Sequence, residues 1–371
     1  MKSSNSRRDF IKLGSIAAAS QLALTACTQK SSENTNEIKK VGSLKWKMIT
    51  TWPKDFPGLG TGANQLAKYI NELTDGAIEV KVYGADEIVP ALEVFDAVQR
   101  GTAEIGHGAA YYWSSKHEAT SFFASIPFGL NAQEMNSWIY YGGGQQLWDE
   151  LYAPFGIKAF SAGNTGVQMG GWFNKEILSL QDFKGMKIRM PGLGGKVLSE
   201  LGSTIVTLSG GEIYQALKSG TIDGTEWVGP YNDLASGLHK AAKFYYWPGW
   251  QEPGTNIEAL INKKAFAALP KSLQIAVERA CQCANQDMLA DYYLKNSEAL
   301  TILIEKEKVN LKKFPDEVLK KLHEISNELI LKISRKDPIS KKIFSSFEKA
   351  LKASYKWNEI SESAYSTARQ L

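Results

Sequence analysis

The chain has 371 residues, of which 43% are hydrophobic and 22% charged, and a formal net charge of +4, the make-up of an ordinary globular protein rather than a low-complexity one. Lys2, Arg7, Arg8 and Lys12 against Asp9 supply most of that charge, so the remainder of the chain carries about +1, and no nucleic-acid partner is expected. Three cysteines are too few for a disulfide framework.

Arg7-Arg8 precedes an apolar run from Leu13 to Ala26 that is too short to span a bilayer, which needs about 20 residues. This pattern predicts a twin-arginine export signal over residues 1–27. Leu24-Thr25-Ala26-Cys27 has the form of a lipoprotein cleavage site, with the Cys27 thiol as the point of lipid attachment. Residues 28–43 are polar and lack an apolar period; they read as a disordered tether holding the protein near the membrane surface, with a reach on the order of 20 Å.

Leu44 to Thr51 alternates like a strand, residues 64–73 have helical spacing and end at Asp75-Gly76, and Ala77 to Tyr83 alternates again. This β-α-β order predicts an α/β architecture. Residues 93–106 (EVFDAVQRGTAEIG) are echoed at 212–225 (EIYQALKSGTIDGT). Each copy predicts a helix, a glycine stop and a strand, and their recurrence predicts two like-folded lobes. Ligands gather beyond the carboxyl ends of strands in such sheets. The residues that follow the echoes, Tyr111, Tyr112 and Trp113 in one and Glu226 and Trp227 in the other, are therefore expected to line a cleft. Helices are expected over 270–285, 289–309 and 316–335, with a break at Asp337-Pro338 and a last helix over 345–368. Cys281 and Cys283 are read as buried packing residues. Trp172, Trp247 and Trp250 are assigned to the core, and His107 equally to core or pocket wall.

Residues 164–174 (NTGVQMGGWFN) and 184–191 (KGMKIRMP), with Glu226-Trp227, Ile126-Pro127-Phe128-Gly129 and Gly142-Gly143-Gly144, resemble the solute receptors of tripartite ATP-independent periplasmic (TRAP) transporters, and most of all the 2-oxo-acid and lactate branch. The resemblance implies a periplasmic-binding-protein-like fold with lobe I over 44–165, lobe II over 166–255, and a return to lobe I with C-terminal helices over 256–371. It implies a receptor that delivers a small monocarboxylate to membrane subunits. Arg189 of the KIR motif would clamp the carboxylate, and a guanidinium fork suits that task. Gln168, Glu226 and Trp227 would hold a cation: oxygen donors suit sodium or calcium, and a neutral buried set favours sodium. A plain Glu226–Arg189 pair without metal is the alternative. Asn164, Tyr112, Trp113, Trp227, Gln251 and Glu252 complete the expected substrate site. A homodimer through the C-terminal helix is implied by the same likeness.

The competing class is a secreted two-lobed enzyme acting on a small organic acid or sugar acid. The four histidines form no HExxH motif, and no G-x-S-x-G elbow is present, so no catalytic residue is assigned.

Overall fold

The structure, a computed structural model, describes residues 43–371. The expected export signal, Cys27 and nearly all of the tether lie outside the described residues. Ser43 already belongs to the fold, where its hydroxyl donates to Glu79 at 2.8 Å.

In chain order the elements are β1 (Leu44–Thr50), α1 (Leu59–Leu73), β2 (Ile78–Tyr83), α2 (Val94–Arg100), β3 (Ile105–Ala109), α3 (Ala132–Tyr141), α4 (Gly144–Tyr152), β4 (Ile157–Asn164), β5 (Gly171–Phe173), β6 (Lys187–Arg189), α5 (Gly192–Glu200) and β7 (Thr204–Val206). They continue with α6 (Ile213–Lys218), β8 (Gly224–Thr225), α7 (Pro230–Ala235), β9 (Phe244–Trp247), β10 (Asn256–Asn262), α8 (Lys263–Ala267), α9 (Lys271–Glu305), β11 (Asn310–Lys313), α10 (Asp316–Ser334), α11 (Pro338–Ile360) and α12 (Glu362–Ala368).

The strands form two mixed sheets, β2-β1-β3-β10-β4 and β11-β9-β5-β8-β6-β7. The two echoes fall one in each sheet: α2 turns at Gly101, whose φ is 78°, into β3, and α6 turns at Gly220, whose φ is 75°, into β8. Glycine is favoured there because a Cβ penalises the left-handed region. In α1, Leu59, Ala63, Leu66, Ala67 and Ile70 are buried, one stripe at helical spacing.

The chain crosses from the first sheet to the second after β4 and returns between β9 and β10. It then crosses again in a way the sequence reading did not contain. The expected helices over 270–285 and 289–309 are one helix, α9, of 35 residues. No glycine or proline interrupts it, and Met288 at its middle is buried. It is about 50 Å long at 1.5 Å per residue and packs on α1 and β4 in one lobe and α7 in the other. β11 follows, pairs in parallel with β9, and so adds the 310–313 segment to the second sheet. The region after 256 thus serves both lobes, with α10 packing on α5 and α11 on α3 and α4.

Three smaller expectations are corrected. The last long helix begins at Pro338 rather than 345, because Asp337 Oδ1 accepts from the Ser340 amide at 2.8 Å and Pro338 occupies the first helical position, where a missing N–H is harmless. Cys281 is buried but Cys283 is exposed, since neighbours two apart on a helix face different directions. Trp172 and Trp250 are buried, whereas Trp247 is 41% exposed at the end of β9. His107 belongs to the core: it is fully buried, its Nδ1 accepts from the Trp52 indole at 2.8 Å, and burial lowers its pKa to about 4.

Candidate functional site

β6 and β8 run in parallel with Arg189 opposite Thr225. The guanidinium and the next residue, Glu226, therefore leave the sheet at the same carboxyl edge. Both side chains are 1% exposed. Arg189 Nη1 donates to Glu226 Oε1, and to the Glu226 carbonyl at 3.1 Å. Nε and Nη2 each donate to the Leu208 carbonyl at 3.2 Å. Of the five N–H groups of an arginine, one on Nη2 is left over. The guanidinium also lies 5.3 Å from the Trp227 ring centroid. That indole fits because Gly210 has no side chain: a Cβ there would sit 2.3 Å from the ring.

The first lobe contributes the aromatic wall. The hydroxyl of Tyr111 donates to Glu252 Oε2 at 3.4 Å, Tyr111 packs edge-on against Tyr112, and the Phe56 ring meets Trp227 at 6.1 Å. Trp113 is not brought to Arg189. It is turned into the lobe core, where its indole donates to Glu258 and its ring meets Phe95. The lobes touch here, and Lys196 of α5 reaches Glu118 of the first lobe at 2.5 Å.

The first two crossing segments, after β4 and between β9 and β10, supply the rest. Gln168 Nε2 donates to Thr165 Oγ1 at 3.1 Å and Thr255 Oγ1 at 3.0 Å. Gln251 Nε2 donates to the Met169 carbonyl at 2.8 Å. Glu252 accepts from the Thr255 hydroxyl. Asn164 Oδ1 accepts from the Gly166 amide at 2.9 Å. Asp233 anchors the loop after β8, accepting from Trp172, Tyr245 and the Val228 amide.

Of the eighteen buried side-chain polar atoms without a protein partner among the described residues, five belong to this set: Asn164 Nδ2, Gln168 Oε1, Glu226 Oε2, Trp227 Nε1 and Gln251 Oε1. Native folds leave few such atoms, and all five belong to residues singled out in the sequence. Burial pushes the Glu226 carboxyl well above its ordinary range; Arg189 opposes this while Glu252 and Asp233 reinforce it. Burial lowers the Arg189 pKa, but Glu226 and the two tyrosines reverse that, and the net shift is upward. Burial raises Glu252 to about 7 and both tyrosines also move upward, mainly for the same reason.

For a cation, Glu226 Oε2 and Gln168 Oε1 are free oxygen donors, the kind that hard cations take. No group of three His, Cys, Asp or Glu converges among the described residues, so such a site would combine one acid with amide and main-chain oxygens. Thr165, Thr255 and the Leu208 carbonyl were missed by sequence reasoning. Thr165 stood inside the 164–174 motif, but its partner Thr255 is ninety positions away.

A two-lobed α/β chain whose strand ends meet around buried polar groups has the architecture of a solute-binding protein. This chain belongs to the bacterial extracellular solute-binding proteins of family 7, whose profile matches residues 50–337. It is a TRAP-transporter solute receptor of the periplasm, not an enzyme. A monocarboxylate 2-oxoacid-binding periplasmic protein of Nostoc sp. is 43% identical over 97% of both chains. The crystal structure of a TRAP solute-binding protein from Pseudoalteromonas atlantica with bound sodium and pyruvate is 38% identical, with a TM-score of 0.84 over 87% of this chain and 98% of that one. Another, from Colwellia psychrerythraea with calcium and pyruvate, is 38% identical, with a TM-score of 0.85 over 88% and 99%.

Proposed function

We propose that this receptor binds a small 2-oxo or 2-hydroxy monocarboxylate such as pyruvate or lactate between its lobes and delivers it to TRAP membrane subunits. The observation that carries the reading is that Arg189 is the one buried Lys or Arg among the described residues. A single buried cation matches a single carboxylate. The buried acids Glu226 and Glu252 lie close by and oppose a second carboxylate on the ligand. The pyruvate named for two solved relatives supports the same class.

Glu226, Gln168 and the main chain at Trp227 are the residues that would hold a cation. When bound, it would supply positive charge that offsets the ligand carboxylate and Glu226. Sodium gives a neutral set with Arg189 and is preferred; calcium is second, and each ion accompanies pyruvate in a relative. Asn164, Gln251 and Tyr112 would contact the ligand, and Trp227 would wall it. Mass spectrometry of ligand released from the purified protein, followed by calorimetry with pyruvate, lactate and longer 2-oxo acids, tests this. Absence of binding to all of them in buffers containing either cation refutes it.

The reading extends to the address and assembly. Twin-arginine export and a lipid on Cys27 would keep the receptor beside its transporter, where tethering raises effective concentration. Tyr355, Trp357, Ile360 and Tyr365 are exposed on α11 and α12, apolar surface that would be available for pairing with a second copy. Intact mass of the membrane fraction and light scattering on the soluble chain check the two points.

A further inference from the structure

The side-chain amide of Gln168 is held in one orientation by hydroxyl groups whose hydrogens are already committed. Thr165 Oγ1 donates to the Gly166 carbonyl at 2.9 Å and accepts from the Thr255 amide at 3.2 Å. Thr255 Oγ1 donates to Glu252 Oε2, which also accepts from the Tyr111 hydroxyl. A hydroxyl has one hydrogen. Neither threonine therefore has one left for Gln168, and both can only accept from its NH2 group, as they do at 3.1 and 3.0 Å. Rotating the amide by half a turn would set oxygen against oxygen twice in a site where Thr165, Gln168 and Thr255 are at most 4% exposed. The main chain allows little relief: Thr165 N–H donates to the Thr255 carbonyl and Gln168 N–H to the Glu252 carbonyl, each at 3.1 Å.

We propose that Thr165 and Thr255, with Glu252 behind Thr255, are positioning residues that lock the Gln168 amide so that Oε1 is presented as a cation ligand. The inference rests on the cation reading above and adds what fixes the ligand. The segments after β4 and between β9 and β10 both take part, so the amide is aimed by two of the connections that join the lobes. Partners behind a metal ligand orient it, and their loss weakens metal affinity by about 10–100-fold.

The test is a calorimetric titration of calcium chloride into metal-free protein at fixed pyruvate concentration, for Thr255→Val, Thr255→Ser, Thr165→Val and Gln168→Ala. Thr255→Val keeps the shape and removes the hydroxyl, and it is expected to lose calcium affinity by about tenfold or more. Thr255→Ser restores the hydroxyl and is expected to recover most of the affinity. Thr165→Val provides the same comparison if Thr255→Val folds poorly, as judged by its melting temperature without metal. In the metal-free wild type, the Gln168 side-chain amide protons should exchange slowly in 15N spectra, and in Thr255→Val they should exchange faster. A smaller loss in Thr255→Val, or an equal loss in Thr255→Ser, overturns the proposal. Full calcium affinity in Gln168→Ala overturns the cation reading itself, a result the threonine variants do not produce.

Discussion

Arg189→Ala gives a sharp test of the site, because the structure specifies what is stranded. The substitution removes the donors to both Leu208 and Glu226, leaving a carboxylate that is 1% exposed without its partner. Removing one member of a buried ion pair costs about 3–5 kcal/mol when the other stays charged. Here Glu226 has another option. Burial raises its pKa and Arg189 opposes that rise, so in the variant Glu226 should take up a proton more readily than in wild type and recover part of the loss. The sign follows from linkage. A carboxyl whose folded pKa lies above its unfolded value stabilises below the unfolded value, and that stability is lost as pH rises through the folded one. Urea unfolding should therefore show Arg189→Ala closest to wild type near pH 4–5 and falling behind toward pH 8. Ligand affinity has no such escape. Truncating one partner of a buried charge pair costs about 2–5 kcal/mol of binding, so calorimetry with pyruvate should show a loss of a hundredfold or more at every pH where the variant is folded. Pyruvate affinity within threefold of wild type would remove Arg189 from the site.

Gly210→Ala should push the Trp227 ring, which a Cβ would approach to 2.3 Å; overpacking of this kind costs about 1–3 kcal/mol. Pyruvate affinity and tryptophan fluorescence should both change, and unchanged values of both would show that the ring is free to yield. Glu252→Gln removes a buried negative charge from the pocket and should narrow the preference for pyruvate over 2-oxo dicarboxylates by roughly tenfold, given the penalty for like charges in contact; an unchanged ratio of the two dissociation constants argues against Glu252 as the selective group. Glu258, buried beneath Trp113 and Tyr152, is raised by burial to about 8. Wild-type stability should thus decline by up to about 1.4 kcal/mol per pH unit between roughly pH 5 and 8 through this group. Glu258→Gln should flatten that slope in urea titrations, and an unaltered slope would mean that Glu258 ionises normally.

The architecture was legible where local chemistry repeats. The echo at 93–106 and 212–225 encodes helix, left-handed glycine and strand, and these instructions are executed within a few residues, so both copies fold as read. Arg189 and Glu226 were legible as a pair through motif resemblance, and the parallel register of β6 and β8 explains why they meet. What was not legible depends on distant partners. β11 is a four-residue segment, Asn-Leu-Lys-Lys, with no alternation of its own, and it is a strand because the edge of β9 receives it. Trp113 and Tyr112 are adjacent in one short turn, yet only Trp113 finds the Glu258 carboxylate inside the lobe. Neither threonine that fixes Gln168 has a local signature, since a hydroxyl acquires its role from the direction of its single hydrogen.

The position of the polar residues also bears on how capture is coupled to lobe movement. Tyr111 and Tyr112 follow β3 in the first sheet, Arg189 and Glu226 end strands in the second, and Gln168, Gln251 and Glu252 lie on the two segments between them. A ligand or ion that satisfied the unpaired atoms of Asn164, which ends β4, and of Gln168, Glu226, Trp227 and Gln251 would bond to all three bodies at once. Its binding energy would then be available only with the lobes together, and a population shift requires that kind of differential affinity. Placing polar groups on the crossing segments has a further effect. The bonds from Thr165 to Thr255 and from Gln168 to Glu252 tie the segments at 165–170 and 248–255 to each other. An ion held by Gln168 and Glu226 would join a crossing segment to the second sheet, which a ligand held by Arg189 alone would not do.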